Sequence, residues 1–336
     1  MRAQAAVLAA ALVLAGCDGW QSALDARGPQ AEDIRDLFAL FLAVCALVWL
    51  LVMAALAWSV LRRRAWMQPA PLAIDAGRER RSERIVTFLA VATAAAVVVL
   101  SSLSFLTGRG LAAMQGRPDA LTITLKGHQW WWEIRYDDPQ PSRVLTTANE
   151  IHVPVGRPVR LLLSSDDVIH SFWVPNLHGK RDLIPGRPSE IWLRADREGI
   201  YRGQCAEFCG MQHAHMALLV IAESGAAFEG WREAQLQPAA EPADDETRRG
   251  KAVMEGAACL MCHAVRGTAA SGQVAPDLTH LASRRSIAAE TLPLTRGALG
   301  AWIADPQAVK PGNHMPLVPL PPAEFQALLA YLMVLK

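Results

Sequence analysis

Cys205-Ala-Glu-Phe-Cys209-Gly-Met-Gln-His213-Ala-His215-Met216 gathers two thiols, imidazole and thioether within twelve residues. Upstream stands His170, in Asp167-Val-Ile-His170-Ser-Phe-Trp-Val-Pro175. Thiolate, imidazole and thioether together suit a copper ion that cycles between its two common oxidation states. A mononuclear blue-copper site needs one cysteine, and here there are two, each able to bridge two metals. Two bridging sulfurs, one histidine per copper and weaker axial groups make a dinuclear centre. Such a centre spreads one electron over two metals and changes shape little on reduction. A Cys-x3-Cys pair also reads as a disulfide, or as a zinc site with His170 and His213. Methionine is a poor zinc ligand and a disulfide needs no histidine, so copper is the stronger reading.

A second constellation lies downstream. Cys259-Leu-Met-Cys262-His263 is the attachment signature of a c-type haem, with two thiols for the vinyl groups and His263 for the iron. Cys-x2-Cys-His also occurs in zinc and redox contexts. Asn313-His314-Met315-Pro316 supplies a methionine some fifty residues later, and about ninety residues suit a small all-α domain around a haem. This region resembles the cytochrome c family. The resemblance implies Met315 as the distal ligand, a combination with His263 that raises the reduction potential. It also implies Pro276 as the support of the ligand histidine. Met254 and Met261 lie too close to the attachment site to reach the opposite haem face, and Met333 reads as core.

Around the copper motif, from about 118 to 222, short β-rich runs alternate with turn residues: 121–125, 130–136, 151–155, 159–164, 190–193 and 216–221. This spacing predicts an all-β sandwich or barrel. Residues 223–246 are polar with Ala and Pro, and read as a flexible linker to a haem domain over 247–336. Such a tether would supply the encounter between haem and copper without strong surface complementarity.

The N-terminal third is apolar. Leu37 to Leu61 and Ile85 to Thr107 carry no charge, and each is long enough to cross a hydrocarbon core of about 30 Å. Between them lie Arg62, Arg63, Arg64, Arg78, Arg80, Arg81 and Arg84, an excess that places the loop in the cytoplasm. Residues 1–16 read as a signal peptide ending Leu14-Ala15-Gly16-Cys17, which resembles a bacterial lipoprotein cleavage box with Cys17 as the lipidated residue. Both signals put everything beyond Thr107 on the outer, periplasmic side of a bacterial inner membrane. The net charge of +1 gives no case for nucleic-acid binding. No glycine-rich phosphate loop or dinucleotide fingerprint is present.

The copper motif, Gly127-His128-Gln129-Trp130-Trp131-Trp132, Asp182-Leu-Ile-Pro-Gly186-Arg187 and the hairpin at 30–110 together resemble cytochrome c oxidase subunit II. The resemblance implies a multidomain chain: a two-helix transmembrane hairpin, an all-β cupredoxin domain and, here, an all-α cytochrome c domain. It implies His170, Cys205, Cys209, His213, Met216 and the Glu207 carbonyl as copper ligands, with the Glu207 side chain reaching a magnesium ion shared with subunit I. His215 does not fit the family spacing. Trp130 would be the surface indole that takes in electrons. The family's Trp and Pro are missing from the second membrane helix, so Glu83 stands either at its proton-uptake position or as one more charge in a solvated loop. The implied function is electron intake for a proton-pumping terminal oxidase, with subunit I and subunit III as partners and a cytochrome c or a quinol–cytochrome c reductase as donor. The alternatives are the corresponding subunit of a nitric oxide reductase and a copper-storage lipoprotein, the latter leaving the haem motif without a use.

Overall fold

Period-two burial builds the β-domain. In β1 (Leu121–His128) every second residue is buried, and β5 (Val159–Ser165) repeats the pattern, so Leu121, Ile123, Leu125, Val159, Leu161 and Leu163 face one core. The computed structural model describes residues 19–63, 76–111 and 116–336. The remaining strands are β2 (Trp131–Tyr136), β3 (Leu145–Ala148), β4 (Glu150–Pro154), β6 (His170–Trp173), β7 (Arg181–Leu183), β8 (Ser189–Leu193), β9 (Gly199–Cys205) and β10 (Ala217–Glu223). One sheet runs β3-β2-β1-β5-β8 and the other β4-β10-β9-β6-β7. The pairs β1–β5 and β4–β10 are parallel and the others antiparallel, which makes a mixed cupredoxin-like sandwich.

Two long helices are α1 (Pro29–Arg63) and α2 (Ala76–Leu111), and residues 32–113 form a second compact unit. Each contains an apolar, solvent-facing stretch long enough to cross a membrane. At about 1.5 Å per residue each also exceeds a hydrocarbon core of about 30 Å, so its ends reach into the interfacial zones. Glu83 is exposed in the first turns of α2. Cys17 and Arg64 lie outside the described residues.

The expected flexible linker is instead helix α3 (Gly225–Leu236), capped by the Ser224 hydroxyl, which accepts from the Ala227 N–H. Phe228, Arg232 and Gln235 recur at helical spacing and are buried. Phe228 and Trp231 pack on Tyr136, and Trp231 stacks on His152 at 4.0 Å. Arg232 donates to Asp138 at 2.6 Å. Ala- and Glu-rich composition reads as linker, but one apolar and aromatic edge is enough to bind the helix to the sandwich.

The haem segment is helical: α4 (Asp245–Gly256), α5 (Arg296–Ala304), α6 (Pro306–Val309) and α7 (Pro322–Leu332), with a small hairpin of β11 (Ser286–Ile287) and β12 (Leu292–Pro293). Asp244 and Thr247 close a reciprocal cap at the start of α4. Helix α4 crosses α7 so closely that a Cβ on Gly250 would lie 2.0 Å from the Ala327 carbonyl oxygen. Its core is Met254, Val265, Leu281, Leu299, Leu328, Tyr331 and Leu332.

The sandwich and the haem segment form one compact unit, which corrects the freely tethered arrangement expected above. The reason is polar complementarity along the seam. Glu150 of β4 accepts from the Arg285 and Ser286 N–H groups at 2.6 and 3.3 Å. Arg284 donates to the Thr147 hydroxyl, and Gln212 to the Pro311 carbonyl at 2.8 Å.

Candidate copper and haem centres

The copper loop is the connection from β9 to β10, and its ends are clamped where the Cys205 N–H donates to the Met216 carbonyl at 2.9 Å. Pairing of β6 with β9 sets Phe172 opposite Cys205, and the Ala206 N–H donates to the Ser171 carbonyl. His170, at the start of β6, therefore meets the beginning of the loop.

Cys205 and Cys209 are buried free thiols with sulfurs 3.7 Å apart. His170 Nδ1 lies 3.9 Å from Cys205 Sγ, and His213 Nδ1 lies 3.5 Å from Cys209 Sγ. Met216 Sδ is 3.9 Å from Cys209 Sγ, and the Cys205 thiol donates to the Glu207 carbonyl at 3.1 Å. The arrangement is thus two adjacent sulfurs with an imidazole beside each, a thioether beside Cys209 and a carbonyl beside Cys205. This donor set fits two copper ions bridged by two thiolates. Zinc would not use the thioether.

The electrostatics favour ligation. The hydrogen bond with the Cys209 thiol, aided by His170, outweighs burial and lowers the Cys205 thiol. The neighbouring thiolate pushes Cys209 up in the absence of metal. Burial works against protonation of His170, yet its hydrogen bonds to Cys205 and Asp167 outweigh it and raise the imidazole. Asp167 Oδ1 lies 2.8 Å from His170 Nε2, which leaves Nδ1 for the sulfur side. The other oxygen of Asp167 accepts from the Gln129 N–H at 2.7 Å. Behind the ring, Gly127 of β1 leaves room that no side chain could share, since a Cβ there would lie 2.8 Å from His170 Cδ2.

His215 stands apart from this set. Its Nδ1 meets Gln212 Oε1 at 2.7 Å and its side chain is exposed. Glu207 directs its carboxylate outward to Lys180 Nζ at 3.3 Å. Trp130 is not at the surface as expected: it is 7% exposed, because the 310–314 turn of the haem segment covers it. Its indole N–H donates to the Cys209 carbonyl at 2.9 Å.

In the haem segment, Cys259 and Cys262 are free and half-buried on a tight turn. His263 Nδ1–H donates to the Pro276 carbonyl at 2.7 Å, leaving Nε2 as the ring's remaining metal donor. Removal from water lowers the basicity of this imidazole, which keeps it neutral, as an iron ligand must be. Met315 packs on the same core as Cys259 and is set by its N–H to Asn313 Oδ1 at 2.8 Å. Among the rival methionines, Met254 is core, Met261 is 71% exposed and Met333 is partly buried at the end of α7. These residues fit a haem bonded to both thiols.

Two family models match the chain: the periplasmic domain of cytochrome c oxidase subunit II over residues 138–223, and cytochrome c over 247–336. Cytochrome c oxidase subunit 2 of Alkalihalophilus pseudofirmus is 34% identical over 97% of this chain and 94% of that relative. The chain belongs to the cytochrome c oxidase subunit II family. It is a subunit II with a cytochrome c domain fused at its C-terminal side, the former implying copper and the latter haem. Subunit II of such oxidases is membrane-bound, and the two apolar helices suit that anchor. Cytochrome c oxidase subunit 2 of Bacillus subtilis is 31% identical over 65% of this subunit II and 63% of that relative. The crystal structure of the periplasmic domain of subunit II from Bradyrhizobium japonicum is 34% identical, with a TM-score of 0.33, and covers 35% of this chain and 95% of that one.

Two residues beside the candidate copper site, Asp167 and Lys310, carried no assigned role in the sequence. Asp167 is three positions before His170, where a carboxylate beside a ligand imidazole is the signal that points to it. Lys310 stands next to Pro311 in a loop, and nothing in its neighbourhood marks it.

Proposed function

We propose that this subunit II takes electrons from a donor at a covalent haem c and delivers them through a dinuclear copper centre to the oxygen-reducing subunit I of a proton-pumping oxidase. The observation that carries this reading is the approach of half-buried His213 to the buried His170, Cys205, Cys209 and Met216, with the haem segment docked beside them. When bound, the two cofactors supply one-electron redox chemistry, and His/Met ligation raises the haem potential. Cys205 and Cys209 would bridge the coppers, with His170 and His213 terminal and Met216 and the Glu207 carbonyl axial. His263 and Met315 would be the axial haem ligands. The outward carboxylate of Glu207 is suited to a magnesium ion at the subunit I boundary. Arginine flanking α1 and α2 favours a periplasmic copper domain. Subunit I, subunit III and a soluble or membrane cytochrome c, or a quinol–cytochrome c reductase, are the partners in this reading.

The complex purified through this chain should contain two coppers and one covalent haem per chain, and should consume oxygen with a reduced cytochrome donor. Turnover of nitric oxide without oxygen consumption would overturn the oxidase assignment. Within the copper loop, His213→Ala should abolish the near-infrared copper absorption and His215→Ala should largely retain it. Equal losses in the two variants would show that the ligand register is wrong.

A further inference from the structure

The haem segment sends one side chain into the copper domain. Lys310, between α6 and the Asn313–Met315 turn, is 3% exposed. Its ammonium donates to the Trp130 carbonyl at 2.9 Å, the His215 carbonyl at 2.9 Å and the Ala288 carbonyl at 3.1 Å. Three donors meet three acceptors, so the buried charge is satisfied entirely by backbone oxygen. The acceptors come from three places: the strand connection carrying Trp130, the copper loop, and the β11–β12 hairpin tip.

That tip is shaped for the purpose. Ala288, Ala289 and Glu290 all have left-handed backbone, with φ of 54°, 55° and 65°. Such a run is unfavourable for residues bearing a Cβ. It turns the Ala288 carbonyl to the ammonium and the Ala289 carbonyl to the Ala217 N–H at 3.3 Å, at the first residue of β10. Four residues beyond Lys310, the His314 ring lies 6.2 Å from the Trp130 ring. Met315 follows immediately. Trp130 in turn donates to the carbonyl of Cys209.

We propose that Lys310 is a positioning residue: its ammonium pins the Met315 turn onto the copper loop, holding His314 against Trp130 at one fixed separation of haem and copper. The inference rests on the assignment of Met315 and Cys209 as cofactor ligands. A corollary is that the Trp130 face is occupied by the chain's own haem domain, so an external donor must reduce the haem and cannot address the copper directly.

Lys310→Met keeps the length of the side chain and removes all three donors. In the intact oxidase, the copper and haem spectra of this variant should match the wild type. Haem reduction by external donor should also be unchanged. The haem-to-copper step after flash reduction should slow at least about tenfold, since the Met315 turn loses the contact that fixes it on the copper loop. Hydrogen exchange gives a readout independent of electron transfer. The Ala217 and Arg285 amides, which donate across the seam, should exchange at least about tenfold faster in the variant, with β1 amides unaffected. Unchanged exchange, or faster exchange with an unchanged haem-to-copper rate, would overturn the positioning role. Should the variant lose either cofactor, the wild type decides: Ala217 and Arg285 amides exchanging as fast as exposed loops would overturn the clamp. If the wild type shows the protection but no haem-to-copper transfer, the clamp stands and the functional assignment fails.

Discussion

Cys209→Ser is expected to abolish copper binding at the proposed dinuclear centre while leaving the covalent haem spectrum intact. Cys209 Sγ contacts Cys205 Sγ, His213 Nδ1 and Met216 Sδ, so it is the hub of the site. Serine replaces a soft sulfur that can bridge two metals with a hard hydroxyl oxygen that holds copper poorly. Loss of an outer partner at a metal site already costs about 10–100-fold, and loss of a bridging ligand should cost more. Oxidation of the reduced haem should therefore fall by at least about 100-fold in the intact complex. The haem should survive because the Cys259–His263 turn and its Pro276 contact lie in a separate core. Copper analysis and near-infrared absorption check this, and a serine variant that still holds two coppers would refute the bridging arrangement.

Phe228→Ala should destabilise the copper domain by about 3–5 kcal/mol, the usual cost of emptying a buried phenylalanine site. Phe228 is fully buried, with its ring 6.4 Å from that of Tyr136 and 5.9 Å from that of Trp231. For a unit of this size the melting temperature should drop by roughly 6–20 °C. Thermal unfolding followed by copper absorption measures the change. A segment acting only as linker would tolerate alanine with no shift, so a melting temperature within a degree of wild type would contradict the packing role of α3.

The strands that could be read in advance are those whose two faces differ. β1 and β5 alternate strictly, and β2, β4, β8 and β10 are rich in Val, Ile, Leu and Trp. β9 was not legible because its inward positions are Tyr201, Gly203 and Cys205, a set without apolar periodicity. β6 begins with a ligand, and β3 and β7 are too short to carry a pattern. The candidate copper donors could be proposed from sequence because ligand chemistry lies in residue identity and spacing, and the structure brings His170, Cys205 and Cys209 together. The seam between the domains could not. It pairs backbone groups with scattered polar side chains, Glu150, Thr147, Gln212, Arg284 and Lys310, whose long-range partners leave no trace in composition. Burial of Trp130 follows from that seam, so the exposed indole expected from the subunit II resemblance could not be corrected without it.

Asp167 carries a consequence of its own. One of its oxygens meets the His170 ring and the other accepts from the Gln129 N–H, next to Trp130. Beside the ring, Gly127 leaves space that a Cβ would close, at 2.8 Å from His170 Cδ2. Rotation of the imidazole would break its 2.8 Å contact with Asp167. A centre that gains and loses an electron quickly must rearrange little each time. In the proposed copper centre, a ring held by a carboxylate and accommodated by an absent side chain would rearrange little as the electron comes and goes.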